Sequence, residues 1–461
     1  MKSGRFTEPR VTTYPYVQNR LVIIDWASLS YHLMHSMNSK SAKKMLGVMD
    51  AENELLRWRN LMFQRIVDYI ALFNPRHLIF ALEGKHAWRK NFVKEYYEKH
   101  TDVYVDKNAY YVLSDNYAYS VRLKSTTADG HKNFDVMPIS QKKLGFLEGP
   151  EIIGHRKLGE LPQDKQKMLW GISTEGGKPI IPAYKGQRKH KEWPFQVDKK
   201  YWMDYKDTFA KAIAPVFRAR AIFVDNAEGD DICYAAAMKY HSSCDDVILV
   251  TRDSDMSQID LPNLRIFNHV DSTFTVCKYP REFLDAKVLY GDTTDNISGM
   301  AFVDEKTGKY KPHKSNQLGE PTALMLLSNC PAVYDTACKN GWGDQYMRNR
   351  TLIDLSMVPP DVKEVIAEAI SVPEPEMPDF RALDGWGISD HRISEVKGLN
   401  SFGFYMLTDK AIVDSNPGIF QADQYRKAAA AEDANDGIML SELDDFDNIS
   451  DFAGPAVSFA D

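Results

Sequence analysis

Asp246-Val-Ile-Leu-Val-Thr-Arg-Asp-Ser-Asp255 is an apolar run, rich in β-branched residues, that ends in acids. A run of this kind reads as a strand buried on both faces, the habit of parallel strands covered by helices. The same pattern recurs in Leu21-Val-Ile-Ile-Asp25, in His77-Leu-Ile-Phe-Ala-Leu-Glu83 and in Ala221-Ile-Phe-Val-Asp225. Leu264-Arg-Ile-Phe-Asn268 repeats it without the acid. Helical patterns over Glu52 to Phe73, Lys200 to Arg220 and Gly229 to His241 lie between these runs. Alternating strand and helix predicts an α/β fold, a mostly parallel sheet flanked by helices. Open sheets of this kind bind ligands beyond the carboxyl ends of their strands, where these acids stand.

Working outward, the chain has 461 residues, 44% hydrophobic and 26% charged, which suits a globular protein of several domains. The longest apolar string, Ile232 to Met238, is far short of the roughly 20 residues of a membrane-spanning helix. The first residues, MKSGRFTEPR, lack the apolar stretch of a secretory signal. The five cysteines form no CxxC pair, so reduced thiols and a cytoplasmic location are expected, in the host cell if the chain is phage-encoded. The net charge of −7 conceals an uneven distribution: the segment Ala428 to Asp461 holds nine acids and no Lys or Arg. Tyr184 to Arg220 is a basic window, with ten Lys or Arg against four Asp or Glu. A near-neutral body with a basic window fits a nucleic-acid protein, although a solvated helix face is the commoner cause of a charge run.

Nine carboxylates carry the chemistry: Asp25, Glu83, Glu228, Asp230, Asp231, Asp253, Asp255, Asp292 and Asp295. Singly, each has a plain explanation as a turn former or as a partner of a helix N-terminus. As a set on neighbouring strands they converge. Two bare carboxylates about 5 Å apart repel by roughly 3 kcal/mol at an effective dielectric near 20. Hard divalent cations, Mg²⁺ or Mn²⁺, make such a cluster tolerable, and two of them can flank a phosphodiester.

The order of these motifs resembles the flap endonuclease and 5′→3′ exonuclease family, most closely its phage members, which include phage ribonuclease H. The residues that carry the resemblance are Asp25; Glu83; Trp88-Arg-Lys90; Tyr184-Lys-Gly-Gln-Arg188; Glu228-Gly-Asp-Asp231; Thr251-Arg-Asp-Ser-Asp255; and Gly291-Asp-Thr-Thr-Asp-Asn296. Asn349-Arg-Thr-Leu-Ile-Asp-Leu355 is similar to a C-terminal segment of the phage members. The resemblance implies a PIN-like 5′-nuclease core and two Mg²⁺ (or Mn²⁺) ions. Asp25, Glu83, Glu228 and Asp230 would surround the first, with Asp253 and Asp255 beside it. Asp231, Asp292 and Asp295 would serve the second. It also implies that Lys185 and Arg188 contact the scissile phosphate as catalytic cations, and that Arg89, Lys90, Tyr184, Lys189, Lys191 and Thr322 meet nucleic acid. Basic residues from Arg188 to Lys211, interleaved with Trp193, Phe195, Tyr201, Trp202 and Tyr205, resemble the family's arch over a single strand. The alternative for those rings is an amphipathic helix packing them inward.

The departures are Glu83 for the family's Asp, Gln187 for Asn, Gly229 for Ala, and the 93 residues between Lys90 and Tyr184. The expected organisation is a nuclease core over 20–92 and 178–285, with an arch-like segment 184–211. An insertion lobe over 93–177, a helical C-terminal DNA-binding domain over 286–407 and an acidic flexible tail over 408–461 complete it. The expected activity is a structure-specific, metal-dependent 5′ nuclease acting on 5′ flaps, on branched or nicked DNA, or on RNA primers in RNA–DNA hybrids, in replication or repair. Two other readings stand beside it: a nuclease specialised for RNA, and a catalytically inert accessory protein that binds branched DNA. In the tail, Phe446, Phe452 and Phe459 among acids suggest a peptide that docks on a single-strand-binding protein or sliding clamp, beside the plainer reading of a solubilising terminus.

Overall fold

The computed structural model describes residues 5–37, 49–114, 117–127, 132–139, 145, 147–149, 151–174, 179–185, 193–300, 303–304, 309–310, 319–329, 333–339 and 342–401. The main sheet begins with β1 (Arg5–Arg10), β2 (Arg20–Asp25) and β3 (His77–Ala81). A second sheet follows in the chain, made of β4 (Asp102–Val105), β5 (Ala109–Ser114), β6 (Tyr117–Thr126), β7 (Lys132–Pro138) and β8 (Gly154–Lys157). The main sheet then resumes with β9 (Arg220–Ile222), β10 (Asp246–Val250), β11 (Leu264–Asn268) and β12 (Thr273–Cys277). Its order is β1-β12-β11-β10-β2-β3-β9. The five strands β11, β10, β2, β3 and β9 are parallel; at one edge β12 pairs antiparallel with β11, and β1 antiparallel with β12. The expected mostly parallel sheet flanked by helices is what the chain forms.

The parallel strands are covered on both faces, and their period of two sorts the residues. Val22, Ile24, Leu78, Phe80, Ile248 and Val250 face a core with α1 (Trp26–Ser36), α2 (Ala51–Phe73) and, later in the chain, the helix Lys199–Ile213. Leu21, Ile23, Ile79, Ala81, Val247 and Leu249 face the opposite core, with the helices Gly229–Tyr240 and Pro360–Ile370. The remaining helices follow in chain order: α3 (Trp88–His100), α4 (Gln163–Gly171), α5 (Lys199–Ile213), α6 (Gly229–Tyr240), α7 (Pro280–Tyr290), α8 (Glu320–Asn329), α9 (Val333–Lys339), α10 (Gly343–Ile353), α11 (Pro360–Ile370) and α12 (Asp390–Ser401). Among the described residues, no helix is long and apolar enough to cross a membrane.

Three boundaries differ from expectation. The main sheet starts at Arg5, before residue 20, because RFTEPR pairs with β12 as an edge strand whose polar side chains face water. The segment 93–177 is not a lobe apart. Its antiparallel sheet packs Val103, Val112, Tyr119 and Val121 into one continuous cluster with Leu284 and Val288 of α7 and Leu352 and Ile353 of α10. Nor is 286–407 one self-contained helical unit. Val362, Ile366 and Ile370 of α11 cover one face of the main sheet, and Leu383, Ile388 and Val396 join the core on its other face. The tail 408–461 and its phenylalanines lie outside the described residues.

Candidate active site

The acids gather because strands in register end together. In β2 and β10, Ile24 pairs with Val250; in β2 and β3, Asp25 pairs with Ala81. Asp25, Glu83 and the Thr251-to-Asp255 loop therefore leave the sheet at one edge. Asp25 also caps α1, accepting the Ser28 N–H at 3.0 Å, while its other oxygen accepts the Thr251 hydroxyl at 2.8 Å. Glu228 opens α6, and Asp231 completes a capping box by accepting the Glu228 N–H at 3.0 Å. The Asp253 carboxylate accepts the Asp255 N–H at 2.8 Å. Gly291 turns the chain out of α7 at φ +80°, where a Cβ would lie 2.4 Å from the Ile297 carbonyl oxygen. The turn that follows places Asp292 so that it accepts the Thr294 and Asp295 N–H groups at 2.7 and 3.2 Å.

Cations thread this cluster. Lys185 Nζ is 2.5 Å from Glu228 Oε1 and 3.8 Å from Asp295 Oδ2. The Tyr184 hydroxyl donates within reach of the same two acids, at 2.8 and 3.1 Å. Arg89 Nη1 lies between Glu228 at 3.1 Å and Asp231 at 2.8 Å, and the Trp88 indole N–H donates to Asp231 at 3.0 Å. Lys287 pairs with Asp255 and lies 2.9 Å from Asp292.

The electrostatics divide the acids into two groups. Burial raises Asp25, Asp230 and Asp253, and neighbouring carboxylates push each further. Burial likewise pushes Asp255 up to about 6, against the pull of Lys287. Burial also works to raise Glu228, but Lys185 and Arg89 overcome it and hold the carboxyl down at about 2. Asp292 is lowered because Lys287 and two backbone N–H groups outweigh its burial. Four mutually repelling carboxylates with oxygen-only donors suit a hard divalent cation rather than zinc. Among the described residues, no three metal-ligating side chains stand close enough together to enclose an ion, and Lys185 and Lys287 each bridge two of the acids.

Other expected site residues fall in different places. Lys90 is exposed, with its Nζ 3.1 Å from the Lys85 carbonyl. Thr322 is half-buried at the start of α8. Arg188, Lys189 and Lys191 lie outside the described residues. Arg89 is not a nucleic-acid contact: it is 2% exposed and spent on Glu228 and Asp231. The Tyr184 ring is buried in the cluster that holds Ile180 and Ile181, with Lys185 over its face at 5.1 Å, so no base can stack on it. Nor is Lys199 to Lys211 a free-standing arch. It is the amphipathic alternative, with Trp202 (0% exposed), Phe209, Ala210 and Ile213 packed inward, and only Tyr201 (55% exposed) standing clear among its large rings. Lys287 escaped the sequence reading. Its signal is a basic residue in the last turn of the helix that runs into Gly291-Asp292.

No family model matches the chain. A 5′-3′ exonuclease of Buchnera aphidicola subsp. Acyrthosiphon pisum (strain APS) is 26% identical over 156 residues, 31% of this chain and 54% of that protein. A second, from Buchnera aphidicola subsp. Schizaphis graminum (strain Sg), is 30% identical over 140 residues, 27% of this chain and 44% of that protein. The chain thus spans about half the length of the curated relatives it matches. Among solved structures, bacteriophage T5 flap endonuclease in complex with DNA and metal ions matches with a TM-score of 0.40 and 14% identity, covering 76% of this chain and 98% of that one. The catalytic core of Rad2 with a DNA substrate matches with a TM-score of 0.33 and 11% identity, covering 90% and 95%. The curated likeness agrees with the order of the motifs: this chain is similar to the 5′→3′ exonucleases of the 5′-nuclease and flap endonuclease family.

Proposed function

We propose that this chain is a divalent-metal-dependent 5′ nuclease that hydrolyses phosphodiesters in branched or nicked DNA, at 5′ flaps, or in RNA primers annealed to DNA. The observation that carries this reading is the gathering of Asp25, Asp230, Asp253 and Asp255 at one sheet edge, each pushed above the usual carboxylate range by burial in the company of other acids. Mg²⁺ or Mn²⁺ would be held by Asp25, Glu83, Glu228 and Asp230, with Asp253 and Asp255 beside them, and a second ion by Asp292 and Asp295; Asp231, expected to serve that second ion, is instead occupied by Arg89, Trp88 and the Glu228 N–H. Such ions, when bound, supply charge neutralisation at the phosphate and acidify a water.

The protein's own groups do the rest. Asp231, held by Trp88 and Arg89, orients Glu228 through its backbone N–H. Lys185 keeps its proton, because Glu228 and Asp295 raise its pKa against the effect of burial. Its ammonium can therefore turn from Glu228 to a phosphate oxygen and stabilise the charge that develops there. The main-chain contact from the Lys185 N–H to the Asp295 carbonyl, 2.9 Å, fixes the stem from which it reaches.

A labelled 5′-flap substrate, incubated with Mg²⁺ and then with chelator, tests this reading. Wild type should cleave only with the metal. Asp230→Ala should lose turnover by a factor of about 10³ or more while binding the flap within a few-fold, because phosphate contacts elsewhere supply most of the affinity. Metal-independent cleavage, or full turnover by Asp230→Ala, would defeat it.

A further inference from the structure

His269 stands immediately beyond β11, at the same carboxyl edge of the sheet as the acids, and is buried. Its Nε2 is 2.9 Å from Ser28 Oγ. Ser28 lies in the first turn of α1, and its N–H is the donor that reaches Asp25. Its hydroxyl oxygen also accepts the Arg252 N–H at 3.3 Å. Next to Arg252, the Thr251 hydroxyl donates to the second oxygen of Asp25 and accepts the Asp253 N–H at 3.0 Å. One serine hydroxyl therefore joins the imidazole to both backbone segments that carry Asp25 and Asp253.

We infer that His269 is a positioning residue for the metal-binding edge: through Ser28 it fixes the separation of Asp25 from the Thr251–Asp253 loop. This rests on the nuclease reading above. The imidazole is not itself a ligand, since its Nε2 is turned to Ser28. It is neutral, because burial, His32, Arg65 and Arg252 all depress its pKa. In either tautomer Nε2 and Ser28 Oγ share one hydrogen bond while Ser28 Oγ accepts from Arg252, which ties the serine to both. His32, one turn along α1, lies against the ring with centroids 5.2 Å apart and restricts its tilt. Groups that hold metal ligands in place from behind commonly change metal affinity or activity by about 10–100-fold when removed.

The test is Mn²⁺ binding to the full-length chain, followed by electron paramagnetic resonance, alongside single-turnover flap cleavage. His269→Ala and Ser28→Ala should each weaken Mn²⁺ binding and slow cleavage by about 10-fold or more. Flap binding in chelator should stay at the wild-type level. His269→Gln, whose amide can reach the place of Nε2, should recover most of the loss. The double substitution should be no worse than the poorer single one, because both break the same link. Wild-type Mn²⁺ affinity in His269→Ala, or fully additive losses in the double variant, would overturn the inference alone. Should His269→Ala fail to fold, Ser28→Ala and His269→Gln carry the same comparison. A wild-type chain that binds no Mn²⁺ would overturn the metal reading and this inference with it.

Discussion

At the scale of single residues, the site is a balance between buried acids and the cations between them. Lys287 is 5% exposed and faces Asp255 and Asp292. Replacing it with Met leaves two partly buried carboxylates without their partner, at a cost of about 3 kcal/mol. Denaturant unfolding of Lys287→Met without metal should show that loss, and excess Mg²⁺ should reduce it. The same acids set the pH response. Asp25, Asp230, Asp253 and Asp255 have folded-state pKa values above their unfolded ones, so their contribution is present at low pH and lost as pH rises through the folded values, about 6 for Asp255. Glu228 is the reverse: its contribution is present above its unfolded value and is lost as pH falls toward about 2. His32 and His269, whose pKa values burial depresses, oppose this as pH falls below 6.5. The acid contribution is therefore read against Asp255→Asn: on going from pH 8 to pH 5, the metal-free wild type should gain Tm relative to that variant, and saturating Mg²⁺ should narrow the difference. That Asp25 and the Thr251-to-Asp255 loop leave the sheet together was legible, because each follows a strand whose apolar run has its own pattern. Arg89 and Tyr184 were misread because a motif gives residue type and order, and their burial comes from segments far away in the chain.

Among the elements, the strands were the most readable, and the reason is their double coverage. Val247 to Val250 are apolar without interruption because both faces meet helices. β1 was unreadable for the opposite reason: at the sheet edge its side chains meet water, so RFTEPR has no apolar period. The second sheet hid in the same way. Its strands mix Tyr, Ser, Lys and Asp among few apolar residues and are separated by turn formers such as Asp106 and Asn108, and their core is completed by α7 and α10, far away in the chain. Gly229 offers a test at this scale. It opens α6, and a Cβ there would meet Ala81 O at 3.7 Å and Asp25 Oδ1 at 3.9 Å, ordinary contact distances. Gly229→Ala should therefore stabilise the chain by about 0.5–1 kcal/mol through the entropy of the unfolded state, read as a higher denaturant midpoint with an unchanged slope. A loss of stability would show that the Asp25 carboxylate needs that space.

For the whole molecule, the expected division into core, lobe and C-terminal domain gives way to shared cores. Removing 102–177 takes away one side of the cluster that holds Leu284, Val288 and Leu352, so that variant should melt in a broadened transition at lower temperature than the intact chain. Retention of a sharp, wild-type melt would show that α7 and α10 can close on themselves. Domain closure of this kind was not legible in the sequence, because the contacts join segments far apart in the chain, such as Arg89 with Leu352, 263 residues on, and Asn60 with Gly387, 327 residues on. The return of α11 and of Leu383 to Val396 onto the main sheet also orders events in time. A ribosome delivers Asp25 to Asp295 well before it delivers the residues that cover the strands bearing them. The nascent acidic edge is therefore complete in sequence while both faces of the sheet behind it are only partly covered, until nearly 400 residues have left the exit tunnel. A chain truncated after residue 359 should accordingly be recovered in the insoluble fraction, or bound to chaperones, while one ending at residue 401 stays in solution. The acidic edge would then acquire its full cover late in synthesis.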